Sequence, residues 1–169
     1  MEVRYNTKGD EDALMGDFIH QVFCCCDDGI TEKQITDLRD SYGFNKNNFS
    51  EPKCLLDSWN YLIETLESRY GKAVKRHHEK PFRHLDENGH IVSGYIDLIW
   101  ETEEGYVIVD YKTCPGAYDQ VFTTKNENYA GCHGDQLDCY QRALEAEGRK
   151  PVIARVIYYP VTRYVVEVH

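Results

Sequence analysis

The sequence predicts an α/β (α+β) fold of three layers, with a mixed central sheet flanked by helices. Three observations predict it. Apolar residues recur at helical spacing through about residue 70, and from Ala73 the period becomes extended and is broken by turn signals. One helical segment then separates three strands from a final pair. At 169 residues the chain suits one sizeable core, so residues 1–169 read as a single domain. Its helical part covers about 11–70 and its sheet part about 72–169.

Leu14, Phe18, Ile19, Val22 and Phe23 place the first helix over about Glu11–Cys26. Thr31 offers an N-cap for the second, with Gln34 three residues on as its capping-box partner. Ile35, Leu38 and Tyr42 share its apolar face, and Gly43 marks its end. Pro52, favourable in a first turn, opens a third helix that runs to Tyr70 and stops at Gly71. Leu55, Trp59, Leu62, Ile63 and Leu66 form its stripe. Ala73–Leu85 then reads as a strand, and Asn88-Gly89 as a hairpin turn, because both residues tolerate positive φ. Ile91–Thr102 is the second strand, Glu103-Glu104-Gly105 a turn, and Tyr106–Thr113 the third strand. Cys114–Gly131 reads as a loop long enough to suggest function. His133–Glu147 is the last helix, ending at Gly148, and Val152–Tyr159 and Tyr164–Val168 are the last strands. No internal repeat or low-complexity segment interrupts them.

A composition 41% hydrophobic, 28% charged and 12% aromatic excludes a disordered chain. Residues Met1 to Asn6 open no apolar stretch of signal-peptide type, and no run approaches the roughly 18 apolar residues of a membrane span. A cytoplasmic protein with no membrane partner is expected. The seven cysteines include the consecutive Cys24, Cys25 and Cys26, whose side chains would point in different directions on a helix. With no C-x-x-C, neither a zinc ribbon nor a thioredoxin motif is present, and the cysteines read as reduced thiols filling the core. The net charge of −10 weighs against a phosphate-binding protein, which draws on Lys and Arg. Arg69, Lys72, Lys75, Arg76, Lys80 and Arg83 nevertheless lie close together with only Glu79 opposing them. A metal site would absorb part of the acidic excess.

Two acids sit inside apolar strands: Asp97 in Gly94-Tyr95-Ile96-Asp97-Leu98-Ile99, and Asp110 in Val107-Ile108-Val109-Asp110-Tyr111-Lys112-Thr113. Burying a lone carboxylate is costly unless it is paired or binds a metal. If the turn occupies Thr102–Gly105, Glu101 faces Tyr106 and Asp97 faces Asp110, with opposed Cβ atoms about 5 Å apart. A turn shorter by one residue would move this register by one place. Lys112, two residues beyond Asp110, shares its face, so two acids and a lysine converge. Phosphodiester hydrolysis needs such a set. Carboxylates hold a hard cation that neutralises charge and orients water, and a lysine steadies the water or the developing charge. Asp110 and Lys112 by themselves would equally suit a structural salt bridge; the second acid, Asp97, favours the cation.

Gly94-x-Ile96-Asp97-Leu98 followed by Asp110-Tyr111-Lys112-Thr113 resembles the PD-(D/E)XK nuclease signature, most closely that of the RecB and AddA branch of bacterial helicase–nucleases. Gly16-Asp17-Phe18-Ile19-His20 resembles that branch's first-helix motif, His78-Glu79-Lys80-Pro81-Phe82 its first-strand motif, and Gln136-Leu137-Asp138-Cys139-Tyr140 its Q-x-x-x-Y motif. The resemblance spans about Gly16–Tyr159 and implies a restriction-endonuclease-like core. It implies a metal-dependent DNA nuclease of exonuclease type using one or two Mg²⁺ or Mn²⁺ ions, within or beside a repair or recombination helicase. Asp97 and Asp110 would be metal ligands, joined by His20 and the Tyr111 carbonyl. Lys112 would position water, while Gln136 and Tyr140 would touch the site or the DNA. Glu79 would either assist from its strand or form a plain salt bridge.

Ile96 stands where the family's eponymous Pro would be. No Walker sequence is present, so this chain would not be the motor. No cysteine follows Cys139, so an iron–sulfur cluster is not expected. A competing expectation is a non-catalytic nuclease-fold module that binds DNA or a helicase, which the charge of −10 favours. A restriction-type or junction-resolving endonuclease would differ mainly in substrate.

Overall fold

The computed structural model describes residues 10–49, 51–85, 88–113 and 133–169; the expected loop Cys114–Gly131 lies outside them. Helices α1 (Asp10–Cys26), α2 (Glu32–Ser41) and α3 (Lys53–Tyr70) precede strands β1 (Lys75–Leu85), β2 (Ile91–Glu101) and β3 (Tyr106–Tyr111). Helix α4 (Gly134–Ala146) and strands β4 (Val152–Tyr159) and β5 (Tyr164–Glu167) complete the order. The expected elements are all present, with ends shifted by one or two residues.

The local signals act as their chemistry requires. Gln34 N–H donates to Thr31 Oγ1 at 3.3 Å, and Thr31 N–H donates to Gln34 Oε1 at 2.9 Å, closing the capping box of α2. Pro52 lies just before α3, and Gly71 caps its end.

The sheet order is β1-β2-β3-β4-β5. β3 and β4 pair in parallel and every other neighbouring pair is antiparallel, so the sheet is mixed. The parallel pair is joined through α4, as a crossover requires. Alternate strand residues feed two cores. Leu98, Trp100, Val107, Val109, Tyr111, Val156 and Tyr158 pack with α1, α2 and α3. Ile96, Ile99, Ile108, Ile157 and Tyr159 pack on the opposite face with Leu137, Tyr140 and Leu144 of α4. These are the three layers of an α/β restriction-endonuclease-like fold. Ser58, buried on α3, donates to the Pro160 carbonyl at 2.9 Å, while the Tyr158 hydroxyl donates to the Ser58 carbonyl at 2.7 Å. This buried polar link ties the helical layer to β4.

The β2–β3 turn closes against the start of β4. A Cβ on Gly105 would lie 2.5 Å from the Pro151 carbonyl oxygen and 2.6 Å from Ile153 Cγ2. Gly105→Ala is therefore expected to destabilise the chain by about 1–3 kcal/mol, as overpacking does. A denaturation midpoint equal to wild type would show that this junction yields without cost.

Candidate metal centre and its lysine partners

A slip in the strand alternation builds the site. Along β2, Ile96 and Ile99 both face α4 while Leu98 faces α1 and α3, so the two-residue period loses its phase between Ile96 and Leu98. Asp97 stands in that slip and turns to the α1 side. The partner strand slips at the same level. Glu79 has a φ of 45°, which is costly for a residue with a side chain, and the β1–β2 ladder skips from His78↔Leu98 to Lys80↔Ile96. The skipped pair is Glu79 and Asp97. The β2–β3 ladder begins at Glu101↔Tyr106, as expected, and ends at Leu98↔Val109, one step short of Asp97 and Asp110. Here the Asp97 carboxylate leaves the ladder pattern and accepts the Tyr111 N–H at 2.6 Å.

His20 meets these acids from α1. Its Nδ1 lies 3.5 Å from Asp97 Oδ1, and its Nε2 lies 3.2 Å from the Tyr111 carbonyl. Ligand atoms of His20, Glu79 and Asp97 all fall within 4.8 Å of one another. Burial alone would lower the His20 pKa, but its bond to Asp97, with the charges of Asp97, Glu79 and Asp110, raises it above the ordinary value. Burial raises Glu79, and the neighbouring Asp97 charge adds to that. One turn beyond His20, Cys24 Sγ lies 3.9 Å from Glu79 Oε1, and burial followed by the Glu79 charge pushes this thiol up to about 12.

A second group adjoins the first on the α4 side. Asp110 is 1% exposed, and Lys112 Nζ forms an ion pair with its Oδ2 at 2.8 Å. The same ammonium donates to Gln136 Oε1 at 3.1 Å, and Gln136 Nε2 donates to the Tyr140 hydroxyl. Gln136 and Tyr140, four residues apart on α4, thus hold Lys112 as a unit. Burial pushes the Asp110 carboxyl up to about 6, with Asp97 adding to the rise and Lys112 opposing it.

The residues expected to converge on one point therefore form two adjoining groups. His20, Asp97 and the Tyr111 carbonyl come together, and Asp110, Lys112, Gln136 and Tyr140 come together. Glu79, rather than Asp110, completes the tight ligand cluster. The slip makes the difference, because it turns Asp97 to α1 while Asp110 keeps its regular place facing α4. The sequence signal for Glu79 was its position one residue before the Lys80-Pro81-Phe82 run.

Two composition-based expectations change. Half of the basic cluster is paired with acids: Lys72 with Glu67 at 3.7 Å, Lys80 with Glu147 at 2.7 Å, and Arg76 with Asp27. Arg76 also lies over the Trp100 ring, and Arg69 donates to the Val165 carbonyl. The described cysteines are free thiols, as expected, but only in part core residues: Cys54 is buried and Cys26 packs against the core, while Cys24, Cys25 and Cys139 are half-buried. Among the described residues, no helix is long and apolar enough to cross a membrane.

The donor set suits a divalent cation. Two carboxylates and one imidazole face each other, carboxylate oxygens are hard donors, and the burial that raises Glu79, with the carboxylate charges that raise His20, marks a spot where a positive charge is favoured.

Comparison with known proteins finds partial relatives and one family. Over 81 aligned positions, which cover 46% of this chain, it is 36% identical to an ATP-dependent helicase/nuclease subunit of Lactobacillus delbrueckii subsp. bulgaricus. The same-named subunits of Bacillus mycoides and Geobacillus kaustophilus are 32% identical over 84 residues and 37% identical over 75, covering 46% and 40% of this chain. In each case the match spans about 6% of the relative's own length. Among solved structures, protein VC1899 from Vibrio cholerae aligns at a TM-score of 0.25 and 10% identity, over 71% of this chain and 44% of that one. The family described as the PD-(D/E)XK nuclease superfamily matches residues 2–168, nearly end to end, and the chain belongs to it.

Proposed function

We propose that this chain is a DNA nuclease of exonuclease type that uses one or two Mg²⁺ or Mn²⁺ ions. We further propose that it serves as the nuclease domain of, or a partner to, a DNA repair or recombination helicase in the cytoplasm. The observation that carries the reading is the His20–Glu79–Asp97 cluster beside the Asp110–Lys112 pair. The relatives' name, which joins a helicase to a nuclease, supports the setting.

When bound, a divalent ion supplies charge neutralisation at the phosphodiester and makes water a better nucleophile. His20, Glu79 and Asp97 would hold it, with Asp110 and the Tyr111 carbonyl as further ligands. The Tyr111 N–H holds one oxygen of the Asp97 carboxylate in place. Lys112, held by Asp110 and Gln136, presents its ammonium to the water or to the charge developing on phosphate. Tyr140, with burial raising its hydroxyl, stays protonated and steadies Gln136.

Incubation of linear and closed circular DNA with Mg²⁺, with Mn²⁺ and with chelator tests the proposal. Linear DNA should be degraded only with metal, and closed circles spared. Lys112→Ala should lower the rate on the order of 10²-fold, the loss typical of one well-placed donor. Wild-type rates in that variant would overturn the assignment, and equal cutting of closed circles would favour an endonuclease. The paired state of the basic residues favours a second reading, a module that binds a partner without turnover. Calorimetric titration with no divalent-ion binding would select it.

A further inference from the structure

β2 pairs with β3 only from Leu98 to Glu101, whereas its pairing with β1 continues out to Leu85↔Ile91. Beyond the Glu79/Asp97 slip, the two strands therefore form a ribbon that stands clear of β3. Its faces differ. Toward α4, Phe82 lies across Gly94, where a Cβ would come within 3.0 Å of the ring, and meets Tyr140 edge-on. Lys80 on that face is bound by Glu147. The other face carries the pairs Pro81↔Tyr95, Arg83↔Ser93 and Leu85↔Ile91, and all six residues are exposed.

Three observations say what this open face fits. It is continuous with the metal centre, since the next pair inward on the same side is Glu79 and Asp97. Tyr95 is 60% exposed although it is a large aromatic, and it bounds, with Pro81, Arg83 and Ser93, a shallow hollow of about 470 Å³. Arg83 has no acidic partner among the described residues, whereas Lys72, Arg76 and Lys80 each have one. An aromatic face offers stacking to a base, and a guanidinium one strand residue pair further out offers charge to a phosphate.

We propose that the Pro81–Arg83/Ser93–Tyr95 face is a strand-guiding subsite for DNA. Tyr95 stacks on a base of the nucleotide next to the one held at Asp97, and Arg83 binds a phosphate further along the same strand. The proposal rests on the nuclease reading and deepens it.

The test uses the 169-residue chain and a short fluorescein-labelled single-stranded DNA oligonucleotide. Ca²⁺ replaces Mg²⁺ so that binding is read by anisotropy without cleavage. Tyr95→Ala should weaken binding roughly tenfold, while Tyr95→Phe, which keeps the stacking face, should restore it. Arg83→Ala should reduce the slope of log affinity against log salt by about one, the signature of one lost phosphate contact. Wild-type binding with both alanine variants unchanged in affinity and slope overturns the subsite and leaves the nuclease reading standing. That result would assign the exposed face to a protein partner instead. A wild-type chain that cleaves no DNA and binds none overturns the nuclease reading, and the subsite with it.

Discussion

Asp97→Asn should leave the fold intact and lower metal-dependent cleavage on the order of 10³-fold, the effect of losing several kcal/mol of transition-state charge stabilisation. Asp97 joins the elements of the site. Its carboxylate accepts the Tyr111 N–H, faces His20, and sits within ligand distance of Glu79. An asparagine oxygen can still accept the Tyr111 N–H, but it no longer supplies the charge that raises His20 or holds a cation. Asp97→Ala should be worse in a second way. It leaves the Tyr111 N–H without its acceptor and should cost a further 1–3 kcal/mol or so of stability. Cleavage rates at saturating Mg²⁺ and denaturation midpoints for both variants check the pair. An Asn variant within tenfold of wild type would remove Asp97 from the metal centre.

The elements around this residue were readable because each carries a local cause. Thr31 and Gln34 spell a reciprocal cap, and Gly71 a helix stop. The change of period after Tyr70 separates the helices from the strands. Hairpin arithmetic placed Glu101 opposite Tyr106 correctly, because a register follows from turn length alone.

The slip at Glu79 and Asp97 was not readable. It puts a non-glycine residue at positive φ and turns a carboxylate out of phase, which no residue type in the sequence announces. Regular alternation thus grouped Asp97 with Asp110 and Lys112, and left Glu79 undecided between a salt bridge and a role in the site. The charges misled for a related reason. Lys80 and Glu147 are far apart in the chain and meet only because α4 packs on β1, as Arg76 and Asp27 meet only because α1 ends beside it. Sequence proximity suggested a basic patch that ion pairing cancels in part. That cancellation makes Arg83, which has no acidic partner among the described residues and lies on the face of the exposed Tyr95, more informative than the total charge.

Asp110→Asn should stabilise the chain in chelator at pH 7.5 while abolishing metal-dependent cleavage. Folding moves this carboxyl from an ordinary value of 3.8 up to about 6, through burial and the Asp97 charge. Between those values the folded chain binds more protons than the unfolded chain, so stability falls as pH rises from about 4 to about 6 and stays lowered above. Asparagine removes the ionisation and with it this loss, on the order of 1–3 kcal/mol, or a melting temperature a few degrees higher. Lys112 loses an ion pair but keeps Gln136 and access to water, so it is not left buried and alone. Below pH 4 the variant and the wild type should melt together, because both then carry an uncharged group at position 110. Adding Mg²⁺ at pH 7.5 should reverse the order, since a bound cation offsets the buried charge only where that charge exists. Melting curves at pH 4 and pH 7.5, with chelator and with Mg²⁺, test each step. A variant that melts below wild type in chelator at pH 7.5 would show that Lys112 already compensates Asp110 fully. The buried acid would then be a structural ion pair, with no unmet demand for a cation on the α4 side of the site.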